Sequence, residues 1–87
     1  MMLRREPLDF KGDEKKKEKL YRIISNALNI DFELVNDELA IGAIPEWDSL
    51  GHLAILSAIE KEYEIELDVD QTLEIEEVID IWEMLHE

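Results

Sequence analysis

The 87-residue chain has no cysteine, which excludes disulfide staples, thiolate metal sites and a thiol nucleophile of its own. That absence fits a reducing compartment, and a cytoplasmic setting is the expectation. Long hydrophobic runs are missing too. Leu53-Ala54-Ile55-Leu56 is the longest, far short of the roughly 18 apolar residues that cross a membrane. The opening Met1-Met2-Leu3-Arg4-Arg5 is too short and too soon charged to read as a signal peptide. Basic residues are scarce: nine stand against 23 acidic ones, for a net charge of −14. With only two histidines, little material remains for a catalytic centre.

What is present is unevenly spread. Eight of the nine basic residues lie in residues 1–22, with five acidic ones among them. Residues 23–87 hold 18 acidic residues against Lys61 alone, a local net of −17. A body that acidic repels nucleic acid and anionic membranes, so neither is expected as a partner. It attracts enzymes with basic patches, and such attraction raises association rates more than final affinity. For any single carboxylate, solubility is the default explanation.

Eighty-seven residues make one domain with a thin stability margin. Residues 1–12 mix charge with Pro7 and Gly12 and show no period, which predicts a flexible extension ahead of a domain over 13–87. A first helix is predicted over about 13–28, capped by Asp13, with Leu20, Ile23, Ile24, Ala27 and Leu28 buried. Its lysines then fall in the first turns, the wrong end for the helix dipole, which suggests pairing with acidic residues elsewhere. Residues 29–47 form a long loop rich in apolar side chains, and such a loop must pack onto the domain. A second helix runs from Ser49 to about Tyr63, a short third over about 70–73, and a last one over about 76–85. In that last helix Val78, Ile79, Trp82 and Leu85 face inward. From Glu62 to Asp70 charged and apolar residues alternate, which by pattern alone is a half-buried strand. No second run of period two exists for it to pair with, so an extended linker competes with that reading.

The most informative residues are Trp47-Asp48-Ser49-Leu50, just ahead of the second apolar stripe. Asp48 and Ser49 both favour the start of a helix, so a serine hydroxyl is placed at its positive end. The plain alternative is that Ser49 is only a cap. His52, three residues on, raises a hydrolase reading. It lacks Gly-x-Ser-x-Gly, an Asp-x-x-His pair and any α/β sheet, so His52 reads as a surface or loop-packing residue. A calcium loop starting at Asp68 fails as well, because Leu73 and Ile79 stand where glycine and glutamate are required. No metal site is expected.

The stretch Pro45-Glu46-Trp47-Asp48-Ser49-Leu50-Gly51-His52-Leu53 resembles the modification site of acyl carrier proteins, whose signature is Asp-Ser-Leu. The likeness extends over roughly residues 14–86 in helix pattern and spacing. It implies an all-α fold: a small four-helix bundle of three main helices and one short one, with a long packed loop between the first two. It also favours the linker over the strand. It implies that Ser49 carries 4′-phosphopantetheine, donated by coenzyme A through a phosphopantetheinyl transferase, and that the chain is a carrier and not an enzyme. Trp47, Asp48 and Leu50 frame the attachment point, and Asp48, Leu50, Leu53 and Glu60 are expected to meet partners, although Leu50 and Leu53 also fit an ordinary core. Those partners would be acyl- or aminoacyl-loading and transferring enzymes of fatty-acid, lipid or secondary metabolism, acting on a monomeric carrier. Ala54, Ser57 and Lys61 stand where fatty-acid carriers continue with acidic residues, which points to a specialised carrier. The alternatives are an aminoacyl or peptidyl carrier and an unmodified helical interaction module.

Self-repulsion in a segment with a net of −17 opposes compaction and is screened by ions. Sodium chloride or magnesium at neutral pH is therefore expected to raise the melting temperature, as followed by circular dichroism.

Overall fold

The computed structural model describes the backbone of residues 5–85 and the side chains of residues 14–85. It is an all-α bundle with the element order α1 (Arg5–Leu28), a 3-10 turn (Phe32–Leu34), α2 (Ser49–Tyr63), α3 (Val69–Glu74) and α4 (Val78–Leu85). Among the described residues there is no strand, only an isolated antiparallel bridge between Ala40 and Glu77. The alternating run from Glu62 to Asp70 is thus no strand: it is the end of α2, a linker over 64–68 and the start of α3.

α1 begins at Arg5, not near residue 13, and takes in residues 5–12 of the expected extension. Residues 1–4 of that stretch lie outside the described residues. Pro7 is the third helical residue, where its missing N–H would be unpaired anyway. Gly12 costs only about 1 kcal/mol, and the Glu14–Lys19 run of good helix formers carries the helix through it. The lysines consequently sit in mid-helix, where the dipole no longer penalises them. At the other end Asn29 turns left-handed (φ 59°). The Asn29 N–H then donates to the Asn26 carbonyl at 3.3 Å and the Ile30 N–H to the Ser25 carbonyl at 3.0 Å, closing the helix.

The loop between α1 and α2 is packed, as its apolar content predicts. Val35, Leu39 and Trp47 are buried beside Leu20, Ile24 and Leu28 of α1 and Ile55 and Ile59 of α2. Its backbone also completes α4. The Val78 N–H donates to the Leu39 carbonyl at 2.9 Å and the Ile79 N–H to the Asp37 carbonyl at 3.0 Å. The Asp80 carboxylate takes the Glu76 and Glu77 N–H groups at 3.0 Å each. Donors that a helix start leaves unpaired are thereby satisfied. α4 starts at Val78, two residues later than predicted; Val78 and Ile81 are its fully buried residues, with Trp82 and Leu85 packed beside them on the same i, i+3, i+4, i+7 stripe. Ile81 was missed in the sequence, and Ile79 is only half-buried.

α2 ends at a left-handed Glu64 (φ 55°). The Glu60 carboxylate then accepts the Leu67 N–H at 2.9 Å, pinning the linker to the helix it has just left. α3 opens on a capping box in which Asp68 accepts the Gln71 N–H at 3.3 Å and Gln71 the Asp68 N–H at 3.1 Å.

Asp37 ties the loop to α1. Its carboxylate accepts from Lys17 Nζ at 2.8 Å and from the Tyr21 hydroxyl. Partial burial pushes this carboxyl up, but the Lys17 and Tyr21 hydrogen bonds and the Lys17 charge outweigh it and hold it below its ordinary value. Tyr21 is pushed up to about 12 by burial, by that same hydrogen bond and by the Asp37 charge. A carboxyl depressed in the folded state stabilises fully above its unfolded value of 3.8 and loses that contribution as pH falls through the lower folded value. Asp37→Asn is therefore expected to cost about 1–2 kcal/mol at pH 7, the screening of a partly exposed pair included. In urea melts the gap between variant and parent is expected to close below pH 3.8.

Candidate functional site

The site is built by a buried tryptophan. Trp47 is 0% exposed, the last loop residue before the helix cap. The Trp47 N–H donates to the Ile44 carbonyl at 3.1 Å, and the Trp47 carbonyl accepts the Gly42 N–H at 2.8 Å. Gly42 takes a positive φ of 85° with open space around it, so backbone freedom and not crowding is what requires glycine there. With Trp47 fixed, the next residues have no choice but to emerge at the surface.

Asp48 is the cap. Its backbone is extended (φ −102°, ψ −162°), its Oδ1 accepts the Gly51 N–H at 2.9 Å, and its carbonyl accepts the His52 N–H at 2.8 Å. Ser49 is the first helical residue, exposed, and its hydroxyl makes no hydrogen bond among the described residues. The capping role open to Ser49 in the sequence is filled by its neighbour, and the serine oxygen is left free at the positive end of a 15-residue helix.

Two residues hold this turn in place. Gly51 packs so closely that an added Cβ would overlap the Glu46 carbonyl oxygen and lie 2.9 Å from Leu28 Cδ2. Only glycine lets α2 begin this near the end of α1. His52 is half-buried, and its Nδ1 accepts the Trp47 indole N–H at 3.1 Å. Its Nε2 therefore carries the proton and faces the Thr72 carbonyl at 3.5 Å. His52 links loop, α2 and α3, a packing role as the sequence suggested. Both ring nitrogens are engaged, by Trp47 and Thr72, and neither is hydrogen-bonded to Ser49.

Of the other residues singled out in the sequence, Leu50 and Leu53 are 76% and 62% exposed and belong to no core. Asp48, Leu50 and Leu53 gather around Ser49. Glu60 does not: it lies eleven residues on, roughly 16 Å along the helix, half-buried and bound to the linker. The structure adds Val69 and Leu73 of α3, 70% and 75% exposed. Because His52 meets Thr72, these residues stand at the same end of the molecule as Leu50 and Leu53. Their spacing of four on a short helix was the available signal. Gly51 was legible only as a glycine inside an apolar helical stripe. Among the described residues, no three His, Asp or Glu side chains group in a way that could hold a metal ion. Also among them, no helix is long and apolar enough to cross a membrane.

A scan against protein-family models finds no match, and a search of curated proteins finds none.

Gly51→Ala normally favours a helix, but here the methyl group has no room. The substitution is expected to destabilise by about 1–3 kcal/mol, the cost of overpacking, read as a lowered urea midpoint with an unchanged slope.

Proposed function

We propose that this chain is a carrier protein. In this reading Ser49 bears a 4′-phosphopantetheine arm whose thiol holds an acyl or aminoacyl group as a thioester. The observation that carries the reading is the state of Ser49: at a helix start, exposed, relieved of capping by Asp48, and with its hydroxyl unbonded among the described residues. That arrangement suits an acceptor whose chemistry comes from elsewhere. A phosphopantetheinyl transferase with coenzyme A would supply the activation and the arm.

The residues present fit the group. The Gly51 and His52 N–H groups are taken by Asp48, while those of Ser49 and Leu50 have no partner within the helix and would be available to a phosphodiester on Ser49. Bound there, the arm would supply a thiol on a flexible tether, which a chain without cysteine cannot supply itself. Leu50 and Leu53, with Val69 and Leu73 close by, would form the apolar contact for transferase and acyl-handling enzymes, with Asp48 as the flanking charge. Glu60, already committed to the linker, is the weaker choice for that role. The acidic body favours enzymes with basic patches in a cytoplasmic setting. Lys61 points away from the common fatty-acid enzymes and toward a specialised pathway.

Incubation with coenzyme A and a broad transferase, followed by intact-mass measurement, tests the reading. One phosphopantetheinyl increment is expected on the parent and none on Ser49→Ala. Since Asp48 keeps the cap, that variant is expected to stay within about 0.5 kcal/mol of the parent. An increment on Ser49→Ala would overturn the assignment, and no increment on the parent would favour an unmodified interaction module.

A further inference from the structure

A groove of about 790 Å³ runs between α1 and α2, and none of the residues around Ser49 line it. Its floor is Ile23, Ala27 and Ala58, and the two alanines leave space for another chain to approach. Its rim carries four basic residues against two acidic ones: Lys15, Lys19 and Arg22 lie in a row along α1 and Lys61 faces them from α2, with Glu18 and Glu62 among them. Lys19 also lies over the Tyr63 ring and Arg22 over the Phe32 ring, which leaves Lys15 and Lys61 as the cations open to a partner. Lys61 is the only basic residue of residues 23–87, and the fold sets it here. Glu18 is paired with Arg22 at 3.1 Å, whereas Lys15 and Lys61 have no ion-pair partner among the described residues.

α3 has the opposite character. Val69 and Leu73 form an exposed ridge four residues apart, edged by Asp70 and Glu74 at the same spacing. Neither acidic side chain is hydrogen-bonded among the described residues. We propose that the α1–α2 groove receives α3 of a second copy of this chain. The apolar ridge would lie over Ile23, Ala27 and Ala58 while Asp70 and Glu74 meet Lys15 and Lys61. This goes beyond the carrier reading and does not depend on modification of Ser49.

α3 is six residues, about 9 Å of helix, so the interface is small and the complex transient. The net charge of −14 opposes association over long distances, but at 0.15 M salt repulsion is damped beyond about 8 Å while contacts at the groove persist. Groove and ridge are different surfaces of one molecule, so the contact closes only if the two copies exchange α3 reciprocally about a twofold axis. Covering Leu73 would also mask the surface beside Ser49, so self-association and partner docking would compete.

Sedimentation equilibrium of the full chain from about 10 µM to about 1 mM at about 0.15 M salt tests the proposal. The average mass is expected to climb from 10.2 kDa toward twice that value. The double variants Lys15→Glu/Lys61→Glu and Asp70→Lys/Glu74→Lys change exposed, unpaired positions, so each is expected to keep its helical circular dichroism. Each alone is expected to remain at monomer mass, because its groove and ridge then carry like charge. An equimolar mixture restores both complementary contacts and is expected to regain dimer mass. A parent that stays monomeric at the highest concentration would overturn the proposal. So would a groove variant that still dimerises, or a mixture that does not.

Discussion

Burial of Trp47 is the constraint on which the rest of the site depends. A large side chain with no exposure commits the end of a long loop to the core, and its indole N–H must then find a partner. His52 supplies one from the next helix. The start of α2 is thereby fixed from two sides, by a side chain arriving from the loop and by the glycine that lets Glu46 and Leu28 close in. A buried indole left without an acceptor costs about 1–3 kcal/mol, a large share of the margin of a domain this size. The same histidine reaches Thr72, so the position of α3 is coupled to the packing of a loop residue that precedes the serine.

The loop does for α4 what Trp47 does for α2. α4 is only eight residues long and could not hold itself together alone. It begins where the carbonyls of Asp37 and Leu39 accept its first N–H groups, and Asp37 is in turn held by Lys17 and Tyr21 of α1. The nineteen residues from 29 to 47 are therefore a structural layer in their own right. That explains an apolar content that would be a liability in a free loop.

The bundle was legible where a helical stripe met a cap. α2 was readable at both ends because Asp48 and Ser49 mark its start and the change of period after Tyr63 marks its end. The start of α1 was not, because Pro7 and Gly12 read as breakers in sequence, while proline in a first turn breaks nothing. α4 starts two residues later than expected because its first N–H groups are satisfied by a loop distant in sequence; Ile81 and not Ile79 is in the core because it shares the i, i+3, i+4, i+7 stripe of Val78, Trp82 and Leu85. Leu53 looked equally suited to core and surface and Leu50 better suited to the surface, since the stripe on α2 is apolar on more than one face. Only the packing of Ile55, Leu56 and Ile59 decides between them. Glu60 looked like a surface charge because a bond to the backbone seven residues on leaves no trace in composition.

The order Asp48-Ser49 carries more meaning in the structure than in the sequence. Either residue can cap a helix, and with the roles exchanged the serine oxygen would be spent on a backbone N–H, turned inward and engaged. With the aspartate at the cap, its negative charge sits against the positive end of α2 and stabilises the helix. The serine moves one position on, where helix geometry holds its Cβ outward and asks nothing of its hydroxyl. Stability and availability are thus assigned to two neighbouring residues, each chemically suited to its task. A side chain meant only to finish a helix has no need of that division. A hydroxyl that receives a group from another protein, as the proposed carrier reading has it, gains from that division, because it is rigidly placed and chemically idle at once.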